Sequence, residues 1–332
     1  MVITEYNTFL KSGGIFQNQK GFIKVSGPDS RGFLHRITTQ DIKSLESGMG
    51  TAAAILEPTA AIISLFDLYC CGQFFLLVVD QEQRPVLLSA LEKFHFSEDL
   101  EISDETDEYT FLSIQGPKIS SSVKAALGRI STRLNEIIGL EECLVVAKED
   151  FNKSTAGFHL FIKNEHLSTV TRNLETQKLK PLSLDLWGLL RLDSGHFFFG
   201  TDLNKKNIIL EAGLSSYVAR DKGCYPGQEV VERIFTYGNI AKKLMGLRIV
   251  DGQQVKEDLR LTKLLRNKED AGYVTSLRVI PWSGKILGFG MVRKPFFEPE
   301  VRLELDNLGA EVAVTAVPDS FHIQRPVAKA PL

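Results

Sequence analysis

Apolar and polar residues alternate along several short stretches of the first hundred residues, and this period of two is typical of half-buried β-strands. Two further segments have apolar residues every three or four positions, as expected for helices that cover one face of a sheet. One helix begins near Pro28, and the other runs from Arg84 to about Phe96. The predicted strands are residues 21–27, 50–56, 61–69, 73–80 and 99–105. The predicted apolar stripe of the second helix is Val86, Leu87, Leu91 and Phe94.

The same order of elements begins again near residue 109. "VSGPDS" at 25–30 is echoed by "IQGPKI" at 114–119, and a helix follows each of them. Predicted strands at 143–150 and 157–163 and a helix near 165–177 complete this second half. The repeat predicts an α+β fold with two related, ferredoxin-like halves, each an antiparallel sheet with helices on one face.

The pattern changes toward the C-terminus. Residues 183–195 predict an amphipathic helix capped by Ser183, with Leu184, Trp187, Leu189 and Leu190 apolar. After residue 240, short strands alternate with Gly, Pro and charged turns, which predicts a small C-terminal β-barrel. The predicted domains are a discontinuous α+β domain (1–48 plus 107–235), an inserted α+β domain (49–106) and the barrel (236–332).

Composition limits the classes of function. The 332 residues are 43% hydrophobic and 24% charged with a net charge of −2, which gives no reason to expect direct nucleic-acid binding. Neither a signal peptide nor a run of ~20 apolar residues is present, so no membrane association is expected. Four cysteines are too few for a disulfide framework, and a cytoplasmic location is therefore expected. No glycine-rich nucleotide loop and no metal-ligand spacing occurs.

One stretch, "RDKGCYPGQEVVER" at 220–233, places Cys224 in a polar turn between two glycines. Lys222 and Arg220 could lower the pKa of the Cys224 thiol and make it reactive. The alternative is a tight turn with an incidental cysteine, and local composition does not separate the two. The adjacent pair Cys70 and Cys71 ends an apolar strand and is expected to pack in a core.

A second candidate is Glu211, which lies between Leu210 and Leu214. Burying a carboxylate is costly unless it is paired or hydrogen-bonded. A flat heterocycle with two adjacent N–H donors would satisfy both oxygens. The other explanation is an ion pair of Glu211 with Arg191 or Arg220.

"KGCYPGQE" at 222–229 resembles the Lys-Gly-Cys-Tyr-x-Gly-Gln-Glu signature of the YgfZ family, folate-binding proteins related to the glycine-cleavage T-protein, an aminomethyltransferase. "KGFIKVSGPDSRGFLHRITTQDIKSL" is similar to the family's N-terminal region. "FLSIQGP" resembles the start of its second half, and "GYVTSLRVIPWSGKILGFGMVRK" resembles its barrel strands, so the likeness covers nearly the whole chain.

The resemblance implies a T-protein-like ring of three domains, with the discontinuous domain binding tetrahydrofolate or a derivative as cofactor. It also implies a link to iron–sulfur enzymes or their assembly machinery, and to tRNA modification that depends on such enzymes. Cys224 would be the functional thiol, and Glu211 would bind the pterin ring. The remaining implied site residues are Lys222, Tyr225, Gln228 and Glu229 around the turn, with Arg220 and Arg233 for the folate tail carboxylates.

The chain departs from the T-protein pattern in one strand. Ser64 and Leu65 stand where T-protein enzymes carry acidic residues, and Asp67 is an even step further along. The same stretch has Ala60 and Ala61 where the YgfZ pattern usually has Gly followed by a basic residue. These departures favour a folate-binding accessory protein that supports iron–sulfur proteins without being a turnover enzyme.

Two other functions stay open at this point. One is a tetrahydrofolate-dependent aminomethyltransferase or demethylase, a one-carbon transferase. The other is a thiol redox protein in which Cys224 pairs with Cys143.

Overall fold

The structure is a computed structural model that describes residues 2–117, 119–149, 156–250, 259–306, 308 and 310–315. The chain divides into two compact units. The first comprises Met1–Trp187, Lys205–Ile209 and Leu214–Gly238, and the second comprises Gly188–Asn204, Leu210–Gly213 and Asn239–Leu332. None of the helices in the described ranges is long and apolar enough to cross a membrane.

The helices of the chain are α1 (Val2–Ser12), α2 (Ser30–Ile37), α3 (Arg84–Phe94), α4 (Ile119–Leu127), α5 (Leu167–Thr176), α6 (Leu184–Asp193) and α7 (Gln228–Tyr237). The strands of the first unit are β1 (Gly14–Gln17), β2 (Lys20–Ser26), β3 (Gly50–Leu56), β4 (Ile62–Cys70), β5 (Phe74–Asp80), β6 (Glu101–Asp104), β7 (Tyr109–Gln115), β8 (Ile137–Gly139), β9 (Cys143–Glu149) and β10 (Ala156–Lys163). Those of the second unit are β11 (Lys242–Ile249), β12 (Lys263–Arg266), β13 (Glu269–Val279), β14 (Ile286–Arg293), β15 (Arg302–Leu305) and β16 (Glu311–Thr315).

The first unit contains two antiparallel sheets, each covered by helices on one face, as the repeat predicts. The first sheet has the strand order β3-β4-β5-β2-β6, and α2 and α3 bury Phe33, Leu34 and Leu91 against it. The second sheet has the order β1-β7-β10-β9-β8, and α4 and α5 bury Val123 and Leu174 against it. Each helix uses a single apolar stripe, because its opposite face remains in solvent.

The other faces of these two sheets pack against each other. Aromatic side chains fill part of this layer: Phe22 contacts Phe161 edge to face with ring centroids 5.4 Å apart, and Tyr69 contacts Phe161 at 5.5 Å. Polar side chains lie beside these rings, with Lys20, Asp67, Lys148 and His159 near one another. We call these four residues the interlayer polar cluster.

The second unit is built around a closed six-stranded barrel with the order β11-β14-β13-β12-β15-β16. Its interior is filled by aliphatic side chains such as Leu247, Val274 and Val312, which alternate with outward-facing residues along each strand. The predicted α+β fold class with a C-terminal barrel is therefore confirmed.

Several details differ from the sequence prediction. Val86 is 42% exposed and Leu184 is 58% exposed, so neither belongs to a buried stripe. The helix predicted to begin near Pro28 is α2, which begins two residues later at Ser30. The cap of α6 is confirmed, since the Ser183 hydroxyl accepts a hydrogen bond from the Leu186 N–H at 3.2 Å.

Four elements were not predicted from the sequence, namely α1, β1, β8 and β12. β2 pairs with β5 and β6, so the sheet it joins extends across the predicted domain boundary at residues 48 and 49. The domain boundaries themselves remain a prediction. Cys70 is buried in the core of the first sheet, and Cys71 on the opposite face is half-buried, as expected for neighbours in a strand.

Candidate functional site

Cys224 lies in the turn just before α7, and its thiol is exposed. Gly227 ends this turn in the left-handed region at φ 82°. A Cβ at Gly227 would lie 2.7 Å from the Glu57 carbonyl oxygen, so only glycine fits there without a shift of the backbone. The turn therefore packs closely against the β3–β4 connection and presents the cysteine outward.

Lys222 links the same turn to the C-terminal end of α2. Its ammonium donates hydrogen bonds to the carbonyl oxygens of His35, Thr38 and Gln40, the last of these at 3.0 Å. His35 lies in the last turn of α2, where the helix leaves carbonyl acceptors without partners, and Thr38 and Gln40 follow the helix. Lys222 is 8% exposed, and burial lowers its pKa to about 8. The predicted effect of Lys222 on the Cys224 thiol remains a prediction, while its structural role is to join the turn to α2.

The remaining predicted site residues around the turn differ in their solvent exposure and contacts. Tyr225 is buried, and burial raises its pKa to about 12. Gln228 is half-buried, whereas Glu229 and Arg233 are exposed on α7. Arg220 is also exposed; its Nη2 lies 3.3 Å from Glu232 Oε2, and its guanidinium lies over the Phe235 ring at 4.7 Å. Both predicted arginines are thus accessible, and folate binding by any of these residues remains untested.

Glu211 belongs to the second unit and is 6% exposed. Lys242 on β11 is its cationic neighbour, with Nζ 3.8 Å from Oε2. The negative charge of Glu211 also contributes to a raised pKa of Tyr273, after the effect of burial. Of the two expected partners, Arg191 has its Nη1 3.0 Å from Asp202, and Arg220 pairs with Glu232. The structure confirms that this carboxylate is buried; its role in binding remains a prediction.

The Asp202 carboxylate is a buried centre that the sequence analysis did not identify. Besides the Arg191 ion pair, it accepts hydrogen bonds from Phe198 N–H at 2.8 Å, Thr275 Oγ1 at 3.1 Å and Ser276 Oγ at 2.6 Å. This carboxylate therefore joins the loop after α6 to barrel strand β13.

The interlayer polar cluster contains an ion pair that links the two sheets. Asp67 Oδ2 on β4 lies 3.1 Å from Lys148 Nζ on β9, and Lys148 also donates to Asn135 Oδ1 at 2.9 Å. Tyr69 donates its hydroxyl hydrogen to Asp67 Oδ2 at 3.3 Å. Burial acts to raise the pKa of Asp67, but the positive charge of Lys148 and further neighbours outweigh it, so the pKa is lowered. The carboxylate is therefore ionised at neutral pH.

His159 on β10 completes this cluster. Burial, followed by the positive charge of Lys148, lowers the pKa of His159 to about 3, so the imidazole is neutral at physiological pH. Its ring contacts Phe111 edge to face at 4.8 Å. The structure therefore places His159 among charged groups.

A sequence signal for the cluster does exist. Val146 and Lys148 lie two positions apart on β9, and Val146 is buried between the sheets. A lysine on the inward face of a strand contradicts the simple apolar pattern, and such conflicts concentrate at functional sites. In the described residues, no group of three or more His, Cys, Asp or Glu side chains could hold a metal ion.

Two structural observations bear on a tetrahydrofolate ligand. Reduced pterins present ring N–H donors, and each unit by itself holds a carboxylate acceptor: Asp67 in the first unit and the buried Glu211 in the second. Asp67 keeps 28% of its side-chain surface exposed. The donor and acceptor groups present are therefore compatible with this class of ligand.

Two family models match most of the chain. Residues 1–222 match the family model described as the GCVT N-terminal domain, and residues 242–322 match the glycine cleavage T-protein C-terminal barrel domain. The chain is 28% identical over 297 residues to an aminomethyltransferase of Rubrobacter xylanophilus, covering 87% of this chain and 78% of the relative. It is also 28% identical over 275 residues to a putative chloroplastic transferase of Arabidopsis thaliana, covering 76% of this chain but only 62% of that relative's length.

The fold comparison points the same way. The solved aminomethyltransferase T of the glycine cleavage system from Bartonella henselae has a TM-score of 0.83 at 19% identity, covering 96% of this chain and 89% of the other. Aminomethyltransferases of this family use tetrahydrofolate. The YgfZ resemblance is supported at the level of this wider family, and the finer assignment is not tested. Because a family model matches more than half of its residues, the chain belongs to the glycine cleavage T-protein family.

Proposed function

We propose that this protein binds tetrahydrofolate and transfers a one-carbon unit between it and an aminomethyl or methylamine donor. The observation that carries the proposal is the match of both family domains, which together cover nearly the whole chain. This reverses the order of preference reached from sequence, where the accessory role stood first. The comparisons favour the transferase, because the named relatives are aminomethyltransferases or a transferase.

The test of this proposal uses Glu211, the buried carboxylate of the second unit. Purified protein is incubated with tetrahydrofolate and a methylamine donor, and formation of methylene-tetrahydrofolate is measured. Glu211→Gln keeps the shape of the side chain but removes its charge, so we expect tetrahydrofolate affinity to fall roughly tenfold, as for loss of one charged hydrogen bond.

Glu300→Gln is the matched control, because Glu300 is an exposed partner of Arg248 at 3.7 Å in the same unit. Its affinity for tetrahydrofolate should equal that of the unaltered protein. No turnover and no tetrahydrofolate binding by the unaltered protein would refute the transferase proposal. Equal affinity of Glu211→Gln and the control would remove only Glu211 from the binding site.

A second candidate function is the accessory role in assembling or maintaining iron–sulfur proteins, including tRNA-modifying enzymes. The observation that favours it is the exposed Cys224 thiol on a turn anchored by Lys222. A thiol in such a turn gains nothing from packing, so an external partner would explain its presence. Here Cys224 would meet an iron–sulfur client or its assembly machinery.

The prediction for this role is a loss of [4Fe–4S] enzyme activity in cells whose only copy of the protein carries Cys224→Ala. Activity should fall to the level of cells without the protein, since the thiol is removed and the turn is kept. Cys71→Ala, at a half-buried cysteine, serves as the control and should retain full activity. Unchanged activity in Cys224→Ala would remove the thiol from the mechanism.

The thiol redox alternative has less physical support. Cys143 is buried in the core of the second sheet, and burial raises the pKa of its thiol to about 12. Its reactive thiolate form is therefore scarce at neutral pH. A link between Cys143 and Cys224 remains a prediction that mass spectrometry after mild oxidation can test.

A further inference from the structure

The two cations that the sequence places beside Cys224 are engaged with other partners. The Lys222 ammonium donates to three carbonyl oxygens at the end of α2, and the Arg220 guanidinium lies 3.3 Å from Glu232 Oε2. The third basic group at this turn is the imidazole of His35 on α2, which the proposed functions do not use.

The His35 ring lies against the backbone of the turn. A Cβ placed on Gly223 would lie 3.9 Å from His35 Nε2, the nearest atom apart from those of the adjoining residues. Gly223 directly precedes Cys224, so Nε2 lies beside the residue that carries the exposed thiol. The His35 side chain is only 12% exposed, and Nε2 has no hydrogen-bond partner in the described part of the chain. A mostly buried ring nitrogen without a partner calls for an explanation.

The other ring nitrogen of His35 is oriented by Asp41. Nδ1 lies 3.1 Å from Asp41 Oδ1. The Lys43 N–H has the same carboxylate oxygen at 3.1 Å, nearer than Nδ1 at 3.4 Å, so we assign the ring hydrogen to Nδ1. A hydrogen bond from the Ser44 hydroxyl lowers the pKa of Asp41, which is therefore ionised at neutral pH. In this arrangement the lone pair of Nε2 is available to a proton at the turn.

His35 also has the charge state that a base requires. Burial lowers the pKa of His35, and the positive charge of Lys222 acts in the same direction. Asp41 opposes this change and Lys43 adds to it; these three are the charged groups of the turn and of the loop after α2 that face the ring. The imidazole is therefore largely neutral at pH 7.

We infer that His35, held by Asp41, accepts the proton of the Cys224 thiol and makes this sulfur a nucleophile for exchange with external disulfides. The Sγ–H proton passes to Nε2 directly or through one water. The sulfur attacks one sulfur of the disulfide, the S–S bond breaks, and the leaving thiolate takes the proton from His35. One mixed disulfide and one thiol are formed, and no further oxidant is consumed. Asp41 is a positioning residue, and the exchange does not require tetrahydrofolate.

The product is expected to remain a mixed disulfide between Cys224 and the external thiol. Cys70 and Cys143 are buried and Cys71 is half-buried. Burial raises the pKa of Cys71 and of Cys143 to about 12, so neither supplies much thiolate to attack the adduct. Cys224 is therefore a site of reversible thiolation by a small thiol.

The experiment treats the full chain with oxidised glutathione, and separately with the uncharged probe iodoacetamide, from mildly acidic to alkaline pH. Mass spectrometry of the Cys224 peptide gives the reaction rates. The rate of the unaltered protein should level off near neutral pH, once the imidazole has lost its proton. His35→Gln should react roughly tenfold more slowly at neutral pH, because an ordinary thiol is only a few per cent ionised there. Its rate should keep rising toward about pH 8.5, where a free thiol ionises.

Two further variants separate a base from a merely structural residue. His166→Gln is the matched control, because His166 lies in the same unit and pairs with Glu165 at 3.5 Å. Its rates and pH profile should equal those of the unaltered protein. Asp41→Asn should shift the rise in rate to lower pH, because the negative charge of Asp41 raises the pKa of His35.

The outcomes decide the inference. A His35→Gln protein with the rates and pH profile of the unaltered chain overturns the role of His35. If this variant does not fold, comparison of the unaltered protein with N-acetylcysteine decides: equal rates at neutral pH contradict the inference, and a faster reaction of Cys224 supports it. An internal disulfide in place of the glutathione adduct contradicts the thiolation site. Tetrahydrofolate binding is measured separately, so failure here leaves the transferase proposal standing.

Discussion

Replacing Asp202 with Ala is expected to lower the free energy of unfolding of the second unit by about 3–5 kcal/mol, the usual cost of breaking a buried ion pair. The Asp202 side chain is completely buried, and its Arg191 partner is 7% exposed. The substitution leaves the Arg191 charge in the interior and removes the acceptor of the Thr275 and Ser276 hydroxyls. Denaturant unfolding, followed by a signal from this unit, measures the loss.

Asp270→Ala provides the matched control in the same unit. Asp270 forms an ion pair with Arg293 at 3.1 Å, but both side chains are more than half exposed. Exposed pairs contribute only about 0–1 kcal/mol, because water screens them. If both variants lost the same stability, burial of the Asp202 pair would not be the cause.

Replacing Lys222 with Met is the second change with a large expected effect, a loss of about 3 kcal/mol in the unfolding free energy of the first unit. The methionine keeps most of the buried chain length but donates no hydrogen bonds. The carbonyl oxygens of His35, Thr38 and Gln40 would then lose their shared donor. The turn that carries Cys224 would also lose its link to the end of α2.

Lys24→Met is the control for this experiment. Lys24 forms a partly exposed ion pair with Glu105 at 3.0 Å in the same unit, and its loss should cost less than about 1 kcal/mol. Thermal or denaturant unfolding compares the two variants. A Lys222→Met protein as stable as the control would contradict the capping role.

Local patterns were sufficient to predict most of the fold. Buried and partly exposed residues alternate along β4 from Ile62 to Asp67, and this period depends only on neighbouring residues. The echo of "VSGPDS" in "IQGPKI" was sufficient to predict two related halves. Val86 and Leu184 were placed wrongly because a helical stripe specifies which face is apolar, but not which of its residues are covered by another element.

Only part of the candidate site could be predicted from local sequence patterns. The exposed Cys224 and the buried Glu211 follow from the motif and from flanking apolar residues. The partners of the charged groups could not be predicted in this way, because Lys222, for example, contacts residues more than 180 positions away in sequence. The local pattern of apolar and polar residues carries no information about contacts between residues so far apart in the sequence.

The sequence by itself determined the alternating strands, the repeated α+β order, the barrel and the cysteine turn, since each depends on residues within one or two elements. Only the tertiary structure decided that Asp67, Lys148 and His159 meet between the two sheets. Packing the sheets removes these groups from water, and in that setting a nearby charge shifts a pKa strongly. The ionised carboxylate and the neutral imidazole are therefore properties of the assembled layer and not of either strand.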